Sequence, residues 1–207
     1  MALAPEKTPY RLTVKEYLAF ERAATDRHEY LDGEMYAMAG ESDAHGTICM
    51  NLSGLLYVQL RGTPCQARGG NTKVRVGPYQ PHTQVGLYAY PDLVIFCGAA
   101  QYLDQAQDVL LNPTVLIEVL SPTTARYDRG EKWDRYRAWL PELRDYVLVA
   151  QGQPLVEHWH RMAPERWLLD TVRGLDAVLA LESIQCRVPL VEVYDRVTFE
   201  DGRGPCP

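Results

Sequence analysis

Two acidic residues stand where an ordinary core strand would be apolar throughout. Asp92 sits in Tyr-Pro-Asp-Leu-Val-Ile-Phe and Glu118 in Val-Leu-Ile-Glu-Val-Leu-Ser. An ionised carboxylate in such a run is costly unless it is paired, solvated or bound to a metal. If adjacent strands bring the two together, their like charges add to the cost and a bound divalent cation removes it. Two carboxylates, a backbone carbonyl and several waters suit Mg²⁺. A cation held there lowers the pKa of a bound water and neutralises charge building on a phosphate. Each residue also has a plainer explanation. Asp92 follows Pro91 and could be a solvated strand-end residue, and Glu118 could pair with a buried arginine.

Basic residues come soon after Glu118. Arg129, Lys132, Trp133 and Tyr136 recur at helical spacing and share a face. Lys132 could therefore reach a site at the end of the neighbouring strand, holding a scissile phosphate or orienting a water. The alternative is a solvated face, with Arg129 and Lys132 paired to Asp128, Glu131 and Asp134.

The elements that must position these residues can be traced along the chain. Thr13-Val-Lys-Glu16 is a capping box for an amphipathic helix to about Ala24. His28 to Met38 forms two short strands about Asp32-Gly33, a strong hairpin signal. Ser42 or Asp43 caps a long helix to about Arg61. Strands are expected at Lys73–Val76, Tyr90–Cys97, Val115–Leu120 and Asp145–Ala150, with a crossover helix from about Asp128 to Leu140. Val156–Arg161 and Trp167–Val172 suggest a late hairpin in which His158 and His160 lie on a solvated face. Pro189–Tyr194 suggests a short helix. The sheet is therefore expected to be mixed, with helices on both sides.

The chain's 207 residues suffice for one core, and no linker divides it, so a single domain over 1–207 is expected. Apolar content of 46% and charged content of 23% are ordinary for a globular chain. A net charge of −6 argues against coating nucleic acid by bulk charge. No apolar run is long enough for a membrane span, and the opening residues lack a leader-like apolar stretch. The five cysteines are scattered without CxxC spacing, so neither a zinc site nor a disulfide framework is expected. A cytoplasmic protein is the resulting expectation. Ser121 lacks the surround of a catalytic serine and fits a turn before Pro122.

With these residues in view, the chain resembles the Uma-type restriction endonuclease-like family, a branch of the PD-(D/E)XK nuclease superfamily. The resemblance rests on His-Glu-Tyr-Leu-Asp-Gly-Glu, Tyr-Pro-Asp-Leu-Val-Ile-Phe, Leu-Ile-Glu-Val-Leu-Ser-Pro-Thr-Thr and Tyr-Asp-Arg-Gly-Glu-Lys-Trp, with Leu-Arg-Asp-Tyr-Val-Leu-Val after them. It implies an α/β (α+β) fold: a restriction-endonuclease-like core with a central mixed β-sheet flanked by helices. An N-terminal helix and hairpin and a C-terminal hairpin are additions to that core. It implies metal-dependent hydrolysis of DNA phosphodiester bonds with Mg²⁺ or Mn²⁺. By resemblance, Asp92 and Glu118 are metal ligands and the Val119 carbonyl is the third. The lysine such a motif carries two residues after the glutamate is replaced by Leu120. Lys132 is the expected substitute and Lys73 the runner-up. Glu29, in preference to Glu34, and His45 are candidate accessory residues. A homodimer would suit cutting of both strands. The alternatives are a catalytically inactive nucleic-acid-binding module, or a hydrolase of a small phosphorylated compound.

Overall fold

Thr13 starts the first helix, as its sequence requires. In the computed structural model, which describes residues 11–38 and 40–199, the Glu16 carboxylate accepts from the Thr13 N–H at 2.8 Å. The Thr13 hydroxyl in turn accepts from the Glu16 N–H. This box starts α1 (Val14–Ala23), whose Val14, Tyr17 and Leu18 are buried. The first ten residues and Cys206 lie outside the described residues.

The first sheet begins with β1 (His28–Leu31) and β2 (Glu34–Ala37). Asp32 and Gly33 between them have φ of 46° and 97°, the left-handed pair that a tight two-residue hairpin needs. β3 (Cys65–Gly69) belongs to a second sheet, whereas β4 (Lys73–Val76), β5 (Leu87–Ala89) and β7 (Val109–Leu110) complete the first, in the order β2-β1-β5-β4-β7.

The second sheet adds β6 (Leu93–Cys97), β8 (Val115–Leu120), β9 (Asp145–Ala150), β10 (Leu155–Ala163) and β11 (Arg166–Arg173). Its order is β11-β10-β9-β8-β6-β3, and β8 and β9 run parallel while the other pairs are antiparallel. The crossover between β8 and β9 is α3 (Ala125–Tyr127), a π-helical turn (Asp128–Lys132) and α4 (Trp133–Trp139). The fold is thus a mixed sheet flanked by helices, as expected.

Side chains alternate across this sheet with the period of a strand. Ile117, Val119, Val147 and Val149 face α2 (Asp43–Leu60), whose Ile48, Leu52, Leu56 and Leu60 are buried at four-residue spacing. The same core takes in β12 (Val178–Leu181), β13 (Cys186–Pro189) and α5 (Leu190–Val193). Leu116, Leu120, Tyr146 and Leu148 face Trp133 and Tyr136 of α4 and Val74 and Val76 of the first sheet.

Several expectations need correction. The strand expected from Tyr90 to Cys97 begins only at Leu93, and Tyr90–Asp92 instead link β5 of one sheet to β6 of the other. Pro91, which has no N–H to give a ladder, stands at the division. Cys65 and Cys97 are directly opposed in β3 and β6 and form a disulfide. Their pairing arises from strand register, which cysteine spacing alone does not reveal. His158 is buried instead of solvated, with Nε2 2.7 Å from Asp145 Oδ1.

Candidate active site

The division at Tyr90–Asp92 opens the place where the acidic residues meet. β6 pairs with β8 only as far as Leu93 opposite Ile117. One step further, the Val119 N–H donates to Asp92 Oδ2 at 2.7 Å instead of to a strand. The N–H and C=O of a strand residue point to the same side, so the Val119 carbonyl faces the Asp92 side as well. On the other sheet, Glu29 of β1 accepts from the Tyr90 N–H at 3.0 Å.

Glu118 lies on the face of β8 covered by the crossover helix. Lys132 Nζ is 3.0 Å from Glu118 Oε1, 3.1 Å from Glu29 Oε1 and 3.6 Å from Asp128 Oδ1. Glu118, Asp128 and Lys132 are all buried. The Tyr136 hydroxyl donates to Glu118 Oε1 at 3.2 Å. Burial places Glu118 near α4, and an aromatic stack sets the helix itself. Trp133 stacks on Tyr146 and Trp159 and meets Trp167 edge-on. Arg135 Nη2, 2.5 Å from Asp32 Oδ2, ties the same helix to the β1–β2 turn. The helix and the strand bearing Glu29 are therefore held together by contacts outside the site.

The basic residues behind Glu118 separate into distinct roles. Arg126 is exposed, Arg129 pairs with Glu157 at 2.7 Å, and Arg135 serves Asp32 and Glu131. Lys132 alone among these turns inward. The expected shared face is broken because the π-helical turn places Asp128 and Lys132 inside and Arg129 outside. Such turns insert one residue into the helical repeat and re-aim the side chains beyond it.

His45 completes the group from α2. Its Nε2 is 3.2 Å from Asp92 Oδ2. It lies in the first turn, where Ser42 Oγ accepts from the His45 N–H. Glu34 and Lys73 stand elsewhere. Glu34 accepts from the Tyr36 hydroxyl and faces Arg11, and Lys73 pairs with Asp108 at 3.5 Å and lies over Tyr17 and Tyr90. Asp128 and Tyr136 belong to the cluster and were not singled out as site residues from sequence. The available signal was their place four residues either side of Lys132.

The electrostatics arise from crowding acids into a buried space. Burial pushes the Glu118 carboxyl well above its ordinary pKa. Lys132 opposes this, while Asp128, Asp92 and Glu29 add to it. Burial also raises Asp128, with Lys132 again opposing. For Lys132 burial pulls downward, but Glu118, Glu29, Tyr136 and Asp128 outweigh it and hold the ammonium well above its ordinary pKa. Burial likewise opposes His45, whose contacts with Asp92 and Cys49 push it up to about 11.

Among the described residues, the carboxyl groups of Glu29, Asp92, Glu118 and Asp128 contact two basic side chains here, Lys132 and His45. Oxygen donors from Asp92, Glu118 and the Val119 carbonyl are of the kind Mg²⁺ or Mn²⁺ takes. The residues present therefore fit such an ion.

Comparison with known proteins agrees with this architecture. Residues 14–189 match the family Uma2, described as "Putative restriction endonuclease". The chain belongs to this family. Two relatives from Synechocystis sp. (strain ATCC 27184 / PCC 6803 / Kazusa) are similar over most of their length. "Uncharacterized protein slr1290" is 31% identical, covering 96% of this chain and 100% of its own. "Uncharacterized protein sll1609" is 30% identical, covering 80% and 90%. Among solved structures, "a putative nuclease belonging to DUF820" from Anabaena variabilis ATCC 29413 superposes with a TM-score of 0.70. It shares 14% identity, over 89% of this chain and 98% of that one, so it attests the shared fold. Among the described residues no helix is long and apolar enough to cross a membrane.

Proposed function

We propose that this Uma2 family member is a metal-dependent nuclease that hydrolyses DNA phosphodiester bonds. The observation that carries the proposal is the convergence of Glu118, Glu29 and Lys132, within 3.1 Å contacts, beside Asp92 at the point where two sheets part. Asp92, Glu118 and the Val119 carbonyl would hold Mg²⁺ or Mn²⁺. Bound there, the ion supplies charge neutralisation for the phosphate and lowers the pKa of a water.

The chain's own groups account for the rest. Lys132 stands in for the lysine that Leu120 replaces, because the ammonium needs only to reach the same point in space. Glu118 and Leu120 point to one face of β8, and Lys132 reaches that face from the helix. Its ammonium offers positive charge to the pentavalent phosphate and a donor that orients the attacking water. Glu29 holds the ammonium in place while itself anchored by the Tyr90 N–H. His45 holds Asp92 from the opposite side.

The test is incubation of the purified protein with duplex, supercoiled and single-stranded DNA in Mg²⁺ or Mn²⁺. Metal-dependent cleavage is expected. DNA binding without cleavage under every condition would favour the non-catalytic module instead.

A further inference from the structure

A second set of metal-ligating side chains gathers at the N-terminal end of α2. Glu41, just before the Ser42 cap, and His45 and Cys49 of α2 are spaced four residues apart, and their ligand atoms lie within 4.8 Å of each other. His45 Nδ1 is 3.2 Å from Glu41 Oε2 and 3.5 Å from Cys49 Sγ. For tetrahedral zinc, with Zn–N and Zn–O of about 2.0 Å and Zn–S of about 2.3 Å, the N–O edge is about 3.3 Å and the N–S edge about 3.5 Å. Both contacts of His45 Nδ1 already match those edges closely.

Two further features point the same way. Gly46 leaves the space into which the Glu41 carboxylate folds, since a Cβ there would meet the Glu41 carboxyl at 3.2 Å. The other nitrogen of His45, Nε2, faces Asp92 Oδ2 at 3.2 Å. A histidine that ligates metal through one nitrogen commonly gives its second N–H to a carboxylate, which fixes the ring and its tautomer.

We propose that Glu41, His45 Nδ1 and Cys49 form a binding site for Zn²⁺, separate from the oxygen-donor set of Asp92 and Glu118. The mixed nitrogen, sulfur and oxygen donors select zinc over magnesium. Three protein ligands leave a fourth position for water. Asp92 is the link between the two sites: it orients His45 for zinc and is itself a ligand in the proposed nuclease centre. The zinc site does not depend on the nuclease reading.

The test uses the full chain, stripped of metal and titrated with ZnCl₂ against a chromophoric chelator in the absence of Mg²⁺. One equivalent of zinc is expected to bind. Cys49→Ala and Glu41→Gln should each weaken binding at least about tenfold, and Asp92→Asn should weaken it about 10- to 100-fold, the usual effect of losing the carboxylate behind a ligating histidine. Co²⁺ in place of Zn²⁺ should give a thiolate-to-cobalt charge-transfer band that Cys49→Ala abolishes. Glu41 is exposed, so its variant keeps the test valid if the cysteine change disturbs folding. Failure to bind zinc, binding that neither Cys49→Ala nor Glu41→Gln weakens, or cobalt binding without the thiolate band would overturn the proposal. None of these readouts uses DNA cleavage, so their failure is distinct from failure of the nuclease proposal.

Discussion

Lys132 Nζ sits 3.0 Å from Glu118 Oε1, and both side chains are buried. One ammonium thereby serves Glu118, Glu29 and Asp128 together. Removing it leaves buried carboxylates without a partner. Lys132→Met should destabilise the protein by about 3–5 kcal/mol, the range for breaking a buried ion pair from one side. Acid should partly restore the variant, because protonation removes the uncompensated charge. Urea unfolding at neutral and mildly acidic pH measures both effects. A variant as stable as the parent at neutral pH would contradict this account of the cluster.

Leu120 occupies the strand position where a lysine would share the Glu118 face. If the ammonium matters by its place in space, a lysine at 120 should replace one at 132. Lys132→Met should lower DNA cleavage by about 10²–10⁴-fold, the range for a positioned proton-transfer or charge-stabilising group. The double variant Leu120→Lys with Lys132→Met should recover part of that loss. Equal activity of the single and double variants in cleavage kinetics would show that Lys132 acts through something other than the position of its charge.

The direction of the Glu118 shift sets the pH dependence. Its folded-state pKa lies above the unfolded value of about 4.3. The contribution is therefore fully stabilising below pH of about 4 and is lost as pH rises through the folded pKa. In metal-free protein, the stability of the parent minus that of Glu118→Gln should fall as pH rises from about 4 toward neutral. Saturating Mg²⁺ should flatten this dependence, because the ion favours the charged carboxylate. Denaturant titrations across that range check the sign, and a difference that grows with pH would contradict it.

The Cys65–Cys97 disulfide closes the β3–β6 connection across a sequence separation of 32. Reduction, or Cys97→Ala, should cost about 2–4 kcal/mol in stability, the usual range for a loop of this order. Thermal unfolding with and without reductant measures it. Cys49 and Cys186 are the free thiols among the described residues, so a thiol count on the unreduced, denatured chain checks the pairing independently.

The features legible in the sequence divide from the rest along physical lines. The capping box at Thr13, the Asp32-Gly33 turn and the apolar run of β8 are local signals, and the structure keeps each of them. β3, with the sequence Cys-Gln-Ala-Arg-Gly, and the two-residue β7 carry too little apolar pattern to stand out, and they exist because neighbours pair with them. The choice between Glu29 and Glu34 required knowing which face of the hairpin meets α4. His158 looked like half of a solvated face because its partner, Asp145, belongs to a strand the alternation pattern cannot register. Glu41, His45 and Cys49 recur every four residues, but Glu41 precedes the Ser42 cap and a search for paired cysteines passes over all three. Nor did the sequence indicate that a π-helical turn would separate Arg129 from Lys132.

The nuclease proposal rests most directly on Asp92, which touches the Val119 N–H and His45 where the sheets part. The decisive measurement is the conversion of supercoiled plasmid to nicked and linear forms by the parent protein and by Asp92→Ala, purified identically, with Mg²⁺ or Mn²⁺ and with chelator. The account predicts cleavage by the parent that requires the metal, and its loss in Asp92→Ala with the fold intact by circular dichroism. Cleavage that persists in Asp92→Ala, or in the presence of chelator, would contradict it.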